Sequence, residues 1–365
     1  MRSFDVTNGV VMKKPMALIL QGGGALGAFE YGVVTALLED GWTPTAVTGV
    51  SIGAINAASI AGAKDGDIAA SMRRMWQAIT LPTVPWLPAS KQANLSLLGN
   101  PNFWLSRTDY WRLPYWNSCC TTAPMLGTLA AHLDFDQLND PKHIRFGVTA
   151  TSLYTGGQTT FSNHVAKGAH TDGGQHKAVR ATLTPSHIVA SGSLPPGFPA
   201  TRIDGTDYWD GGLFSNTPID ALLNLLEPHE IDTLPIFVVD LFPTEGQPSP
   251  VTLQEVQTRA TALQYQNRFW AQYGGNAKLE GFLAMLDKLE SATAGTAVAD
   301  MPAYDWLMRL RALKNLHVIA STPAAAGGDH DFSEYGVRSR YEAGRAAAQQ
   351  YLARLSRQPK LRAAA

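Results

Sequence analysis

The sequence predicts a three-layer α/β/α fold around a mostly parallel central sheet. Two glycine-framed turns and the apolar runs beside them carry that prediction. Met16-Ala17-Leu18-Ile19-Leu20 has the length of a short buried strand and stops at Gln21-Gly22-Gly23-Gly24. Residues 27–39 then put Phe29, Val33 and Leu37 on one helical face and close on Asp40-Gly41, with Gly41 as the C-terminal cap. Residues 45–50 read as a second strand, and residues 52–63 as a helix of small side chains packed deep in the fold. Strand and helix in alternation point to a parallel sheet covered on both faces.

The alternation lapses between residues 75 and 126. Trp76, Trp86, Trp104, Trp111 and Trp116 lie there, five of the nine tryptophans of the chain, among prolines and with little periodicity. So many tryptophans argue against disorder. A long irregular stretch inside a compact domain reads either as a cap over the site that touches lipid or acyl chains, or as an insertion packed on the core. Regular patterning returns at 145–150, with a hairpin partner at 158–161. Further strands are predicted at 236–241 and 317–321, and helices at 218–226, 253–273, 277–289 and 303–313. The last helix, 333–355, sets Tyr341, Ala348, Leu352 and Leu355 on one stripe. A basic tail of Arg354, Arg357, Lys360 and Arg362 follows, which reads as a solvated terminus. With no repeat and no clean linker, residues 1–365 are expected to form one domain. Its core spans 16–245, its tryptophan-rich cap about 76–126, and its C-terminal extension about 250–365.

Composition narrows the function. Charged residues make up 16% of the chain and the formal net charge is -1, which leaves no electrostatic footprint for nucleic acid. A charge-poor surface fits an apolar substrate, a subunit interface or lipid contact. No apolar run is long enough to span a membrane. The run at 16–20 is too short for the core of a signal peptide and reads as a strand. Cys119 and Cys120 are adjacent, too close for an ordinary disulfide, and read as free thiols of a reducing compartment. The expectation is a cytoplasmic protein, with peripheral membrane contact open and no oligomeric state assigned.

The chemistry lies in three motifs. Gly22-Gly23-Gly24 ends a strand and opens a helix, where bare backbone N–H groups favour an anion or an oxyanion. Gly49-Val50-Ser51-Ile52-Gly53 has the G-x-S-x-G form. Its serine sits on a sharp strand-to-helix turn, with the N–H of Ile52 and the helix dipole toward the substrate oxygen. Gly22, Gly24 and Gly27 also satisfy the dinucleotide fingerprint, but the position that should carry a ribose-binding carboxylate holds the serine turn instead. No cofactor is expected. The base is sought at Asp-Gly-Gly, which occurs at Asp172 and at Asp210. Asp172 lies in a polar segment between His170 and His176 and reads as a surface turn. Asp210 follows Tyr208-Trp209, which would desolvate a carboxylate and raise its pKa. Asp210 is therefore the expected base.

On these residues the chain resembles the patatin-like phospholipases. The resemblance rests on Gly22-Gly23-Gly24-Ala25-Leu26-Gly27, on Gly49-Val50-Ser51-Ile52-Gly53-Ala54-Ile55-Asn56 and on Asp210-Gly211-Gly212. Ala190-Ser191-Gly192-Ser193-Leu194-Pro195-Pro196-Gly197-Phe198 resembles the family segment before its aspartate. It implies a Ser51–Asp210 dyad without histidine, an oxyanion hole from Gly22, Gly23, Gly24 and Ile52, and a lipid acyl ester as substrate. The stretch Asp331-Phe332-Ser333 resembles the C-terminal extension of a bacterial subgroup. Leu26 stands where the family often has Arg or Lys, which removes a positive charge from the head-group side.

Two other readings stay open. One is an α/β-hydrolase triad of Ser51, Asp210 and His330. The other is a non-catalytic module that holds an anion in the glycine turn. His164, His170 and His176 are six apart in loop sequence, a spacing that does not suit zinc, and no metal is expected.

Overall fold

The computed structural model describes residues 13–169, 175–242, 249–266, 277–321 and 328–357. The Asp172 turn, residues 267–273 of the helix predicted at 253–273, and the basic tail beyond Arg357 lie outside them.

In chain order the elements are β1 (Lys14–Leu20), α1 (Gly27–Glu39), β2 (Trp42–Gly49), α2 (Ile52–Ala61), α3 (Ile68–Ile79) and α4 (Ala89–Gln92). Three short strands follow, β3 (Gly99–Asn100), β4 (Trp104–Ser106) and β5 (Cys120–Thr121), then α5 (Ala123–His132) and α6 (Phe135–Asn139). The centre of the chain holds β6 (Arg145–Ser152), β7 (Gln158–Ser162), β8 (His176–Arg180), α7 (Pro185–Ser191), β9 (Thr201–Ile203), β10 (Thr206–Asp210), α8 (Ile219–Leu223) and β11 (Ile236–Asp240). The C-terminal part contributes α9 (Leu253–Tyr265), α10 (Ala277–Thr293), α11 (Pro302–Arg309), β12 (Leu316–Ala320) and α12 (Glu334–Leu355).

The main sheet runs β12-β11-β1-β2-β6-β10-β9, with β7 and β8 continuing from β6. Its five strands from β12 to β6 are mutually parallel. β1 shows why the sheet needs cover on both sides. Met16, Leu18 and Leu20 enter the core formed with α1 and α2, whereas Ala17 and Ile19 enter the one formed with α8. A strand apolar at every position from Met16 to Leu20 has no face to give to water there, so helices pack on both. This is the expected three-layer α/β/α arrangement.

α2 is buried along its whole length, and its glycine, alanines and Ser59 leave room for neighbours between its three isoleucines. α12 lies against α1. Tyr341 meets the Tyr31 ring at 4.5 Å, Arg345 pairs with Glu39 at 2.6 Å, and Ala348 is fully buried on the predicted stripe.

The tryptophan-rich stretch differs from its expectation in two ways. Trp76 belongs to α3 and is 2% exposed, stacked between Tyr31 and Phe332, so the irregular segment begins only after Ile79. The segment also has its own antiparallel sheet, β3-β4-β5. Trp104 on that sheet is buried against Phe103, Phe198 and Phe332 at 5.0, 5.8 and 5.4 Å. Strands this short give no usable periodicity in sequence, and side-chain stacking holds them instead.

Candidate active site

Register brings the two key residues to one edge of the sheet. Leu20 of β1 pairs with Gly49 of β2, and Gly49 with Val148 of β6. Ser51 lies two residues beyond Gly49. β6 runs on for two residues to Ala150, where antiparallel β10 sets Asp210 opposite it. Ser51 and Asp210, 159 positions apart in sequence, therefore emerge together at the C-terminal ends of the parallel strands, where open α/β sheets hold their ligands.

The Ser51 turn is a strained elbow. Ser51 has φ 54 and ψ -122, a conformation a non-glycine residue keeps only when its surroundings enforce it. The enforcement comes from close backbone contact. A Cβ on Gly53 would lie 2.5 Å from the carbonyl oxygens of Leu20 and Gln21, and one on Gly49 would collide with the Gly53 carbonyl. The backbone N–H of Ser51 donates to Ser191 Oγ at 2.9 Å. Gly192 leaves space beside Ser51, since a Cβ there would sit 3.8 Å from the Ser51 Oγ.

Asp210 is 3% exposed. Burial pushes its carboxyl up to about 6, against hydrogen bonds from the Gly212 N–H and the Ser51 hydroxyl, which pull it down. The Gly212 bond to Oδ1 is 2.7 Å. Tyr208, one of the predicted shielding aromatics, is buried against Phe161 at 5.3 Å. Tyr265, at the end of α9, also lies near Asp210. Its phenol is raised to about 12 by its own burial and then by the charges of Asp210 and Asp329.

The glycine turn departs from expectation at one position. Gly22 lies beside Ser51, and a Cβ on it would sit 2.9 Å from the Ser51 Cβ. Its N–H, however, donates to Asn216 Oδ1 at 3.0 Å, and Asn216 Nδ2 donates back to the Gly22 carbonyl at 3.0 Å. Gly22 thus serves as a clamp point, and its N–H is already engaged. Among the described residues, no partner takes the N–H of Gly23, Gly24 or Ile52. Gly24 adopts φ +54, and a Cβ there would collide with the Asp329 carbonyl, which accepts the Ala25 N–H at 2.6 Å.

A buried polar network supports this turn. Glu30 Oε1 accepts the Gln21 N–H at 2.6 Å and its Oε2 accepts Asn56 Nδ2 at 2.8 Å. Trp76 donates in turn to Asn56 Oδ1 at 2.9 Å. Burial raises the Glu30 carboxyl well above its usual range. On the other side, the buried Arg340 donates to the carbonyls of Asp331 and Gly328 at 2.8 and 3.0 Å and fixes the loop that carries Asp329.

His330 lies in that loop with its Nδ1 3.5 Å from Asp329, which raises its pKa. Among the described residues, the Gly212 N–H donates to the Asp210 carboxylate, and Ser51 rather than His330 is the side chain that lowers its pKa. The triad of Ser51, Asp210 and His330 finds no support in this arrangement. Asn216, Ser191, Gly192, Glu30 and Tyr265 were not singled out from sequence. Ser191 and Gly192 stand in the segment before the aspartate, and Asn216 lies six residues after Asp210, but nothing local marks their partners.

A strained serine, a buried aspartate beside it and free N–H groups at a helix start have the make-up of an acyl-transfer site. The patatin-like phospholipase family model matches residues 18–223, more than half of the chain. The chain belongs to that family and is a lipid acyl hydrolase. No curated protein sequence matches it. Among solved structures, VipD from Legionella pneumophila is similar at 14% identity and a TM-score of 0.36, over 93% of this chain and 67% of that one.

Proposed function

We propose that the chain cleaves fatty-acyl esters of the phospholipid or lysophospholipid class through an acyl-enzyme on Ser51, with Asp210 as the base. The observation that carries this reading is the Ser51 hydroxyl on its strained elbow beside the buried carboxylate of Asp210, whose pKa burial pushes up to about 6. Ser51 Oγ attacks the acyl carbonyl as its proton passes to Asp210. The N–H groups of Gly23, Gly24 and Ile52 receive the oxyanion, with the N-terminal dipole of α2 behind Ile52. Asp210 returns the proton to the departing alcohol. A water deprotonated by Asp210 then frees the fatty acid and regenerates Ser51.

The free thiols of Cys119 and Cys120 fit a reducing compartment and a cytoplasmic enzyme. No helix among the described residues is long and apolar enough to cross a membrane. Any lipid contact through those helices would therefore be peripheral.

The test is fatty-acid release from phosphatidylcholine, lysophosphatidylcholine and a monoglyceride, side by side. Release is expected from the unaltered chain and from His330→Ala, and is expected to vanish in Ser51→Ala and Asp210→Asn. Full activity in Ser51→Ala would remove Ser51 as the nucleophile, and no release from the folded, unaltered chain would leave the anion-binding module as the better reading.

A further inference from the structure

The insertion buries one set of aromatic side chains and leaves another in solvent. Phe103 and Trp104 pack inward on Phe198 and Phe332. Between β4 and β5 the chain makes a short 3₁₀ helix, Tyr110–Tyr115. Within it Tyr110 is 68%, Trp111 81%, Leu113 57% and Tyr115 83% exposed. Four large exposed aromatic or aliphatic residues among six are uncommon on a surface that meets only water.

We propose that this turn is the surface by which the enzyme seats on an anionic lipid bilayer, a proposal that rests on the reading of the chain as a lipid hydrolase. Its composition matches the headgroup zone. Tyrosine and tryptophan carry an apolar body with a polar tip and settle where hydrocarbon gives way to water. Its charge is complementary as well. Arg107, Asp109 and Arg112 are the charged residues of 99–121. Arg107 takes both oxygens of Asp109, at 3.0 and 2.7 Å, and neutralises the acid. Arg112 remains exposed in the middle of the turn as a cation for lipid phosphate.

The mounting ties the turn to the catalytic residues. The N–H groups of Cys119 and Cys120 donate to the carbonyls of Pro196 and Gly197, both at 2.9 Å. Those carbonyls lie on the segment that leaves Gly192, the neighbour of the Ser51 hydroxyl. Through Phe332, the same insertion touches the loop whose Asp329 carbonyl holds Ala25 beside the oxyanion turn. A bilayer engaged by Trp111 and Tyr115 would thus lie against the same rigid unit that frames the site.

The experiment is co-sedimentation of the full chain with vesicles of ether-linked phosphatidylcholine, alone or mixed with ether-linked phosphatidylglycerol, which carry no acyl ester to be cleaved. The unaltered chain is expected to pellet with the mixed vesicles and to show a blue-shifted tryptophan emission. The double variant Trp111→Ala, Tyr115→Ala should lose at least about ten-fold in partition, since each exposed ring removes apolar area from the contact. Arg112→Glu should weaken binding to the mixed vesicles and leave binding to phosphatidylcholine alone much less affected. Unchanged melting temperatures would show that all three proteins are folded. Equal pelleting of the double variant and the unaltered chain would overturn the proposal, as would failure of the unaltered chain to bind either vesicle. So would a dimer in sedimentation velocity that the double variant splits, because the turn would then belong to a second copy. Turnover of a water-soluble p-nitrophenyl ester by the unaltered chain is scored separately. Its absence would remove the hydrolase reading, whatever the vesicles show.

Discussion

The edge of the sheet that holds Ser51 and the insertion that carries Trp104 are built on opposite terms. At Ser51 the backbone does the specifying. Two glycines, a positive φ and a strand register fix the serine before any side chain is considered. In the insertion the backbone specifies little, and four aromatic rings from three distant parts of the chain hold it in place. A site set by backbone contacts tolerates side-chain change but no added Cβ. An insertion set by ring contacts tolerates backbone variation but no loss of a ring.

Four measurements would break or sharpen that contrast. The largest effect is expected for Ser51→Ala, which should lower the hydrolytic rate by on the order of 10⁴-fold or more while the melting temperature barely moves. The glycines, and with them the elbow, are untouched by that change. Next comes Phe332→Ala. This ring is 2% exposed and meets Trp76, Phe103 and Trp104. Its loss should cost about 3–5 kcal/mol in urea unfolding, the range for a buried phenylalanine, and should free the insertion from the core.

Asp210→Asn should stabilise the fold as it removes activity. The folded carboxyl keeps its proton to about pH 6, whereas an unfolded aspartate loses its proton near about 3.9. Folding therefore favours the protonated form, and stability falls as pH rises through that window. Above it the penalty is about 3 kcal/mol. The variant should gain up to that amount at pH 8 and nearly nothing at pH 4, which urea titrations at the two pH values would measure. The smallest effect is the acid limb of kcat/KM. It should rise with pH around a midpoint of about 6, because Asp210, as the proposed base, would accept the Ser51 proton only when ionised.

The same contrast explains what the sequence revealed. β1, α1, β2 and α2 were legible because glycine spacing and apolar runs are local, and the serine elbow is local too. The burial of Asp210 was legible in the Tyr208-Trp209 that precedes it. The role of Gly22 was not. Its N–H looks like an oxyanion donor until Asn216, 194 positions away, takes it. Glu30 was equally hidden, because a carboxylate on an otherwise apolar helix gives no sign that it will cap the Gln21 N–H. In the insertion, Trp76 was grouped with the cap because its helix ends among prolines and tryptophans. Only the stack with Tyr31 and Phe332 assigns it to the core. The strands β3, β4 and β5, two or three residues each, are too short for any alternation to register.

The most direct test of the central claim is covalent labelling with a fluorophosphonate probe, followed by mass spectrometry of the peptides. A nucleophilic Ser51 activated by Asp210 predicts one adduct, on the peptide that carries Ser51, formed far more slowly in Asp210→Asn. An adduct on another serine, or equal labelling of Ser51 in the folded Asp210→Asn protein, would contradict it.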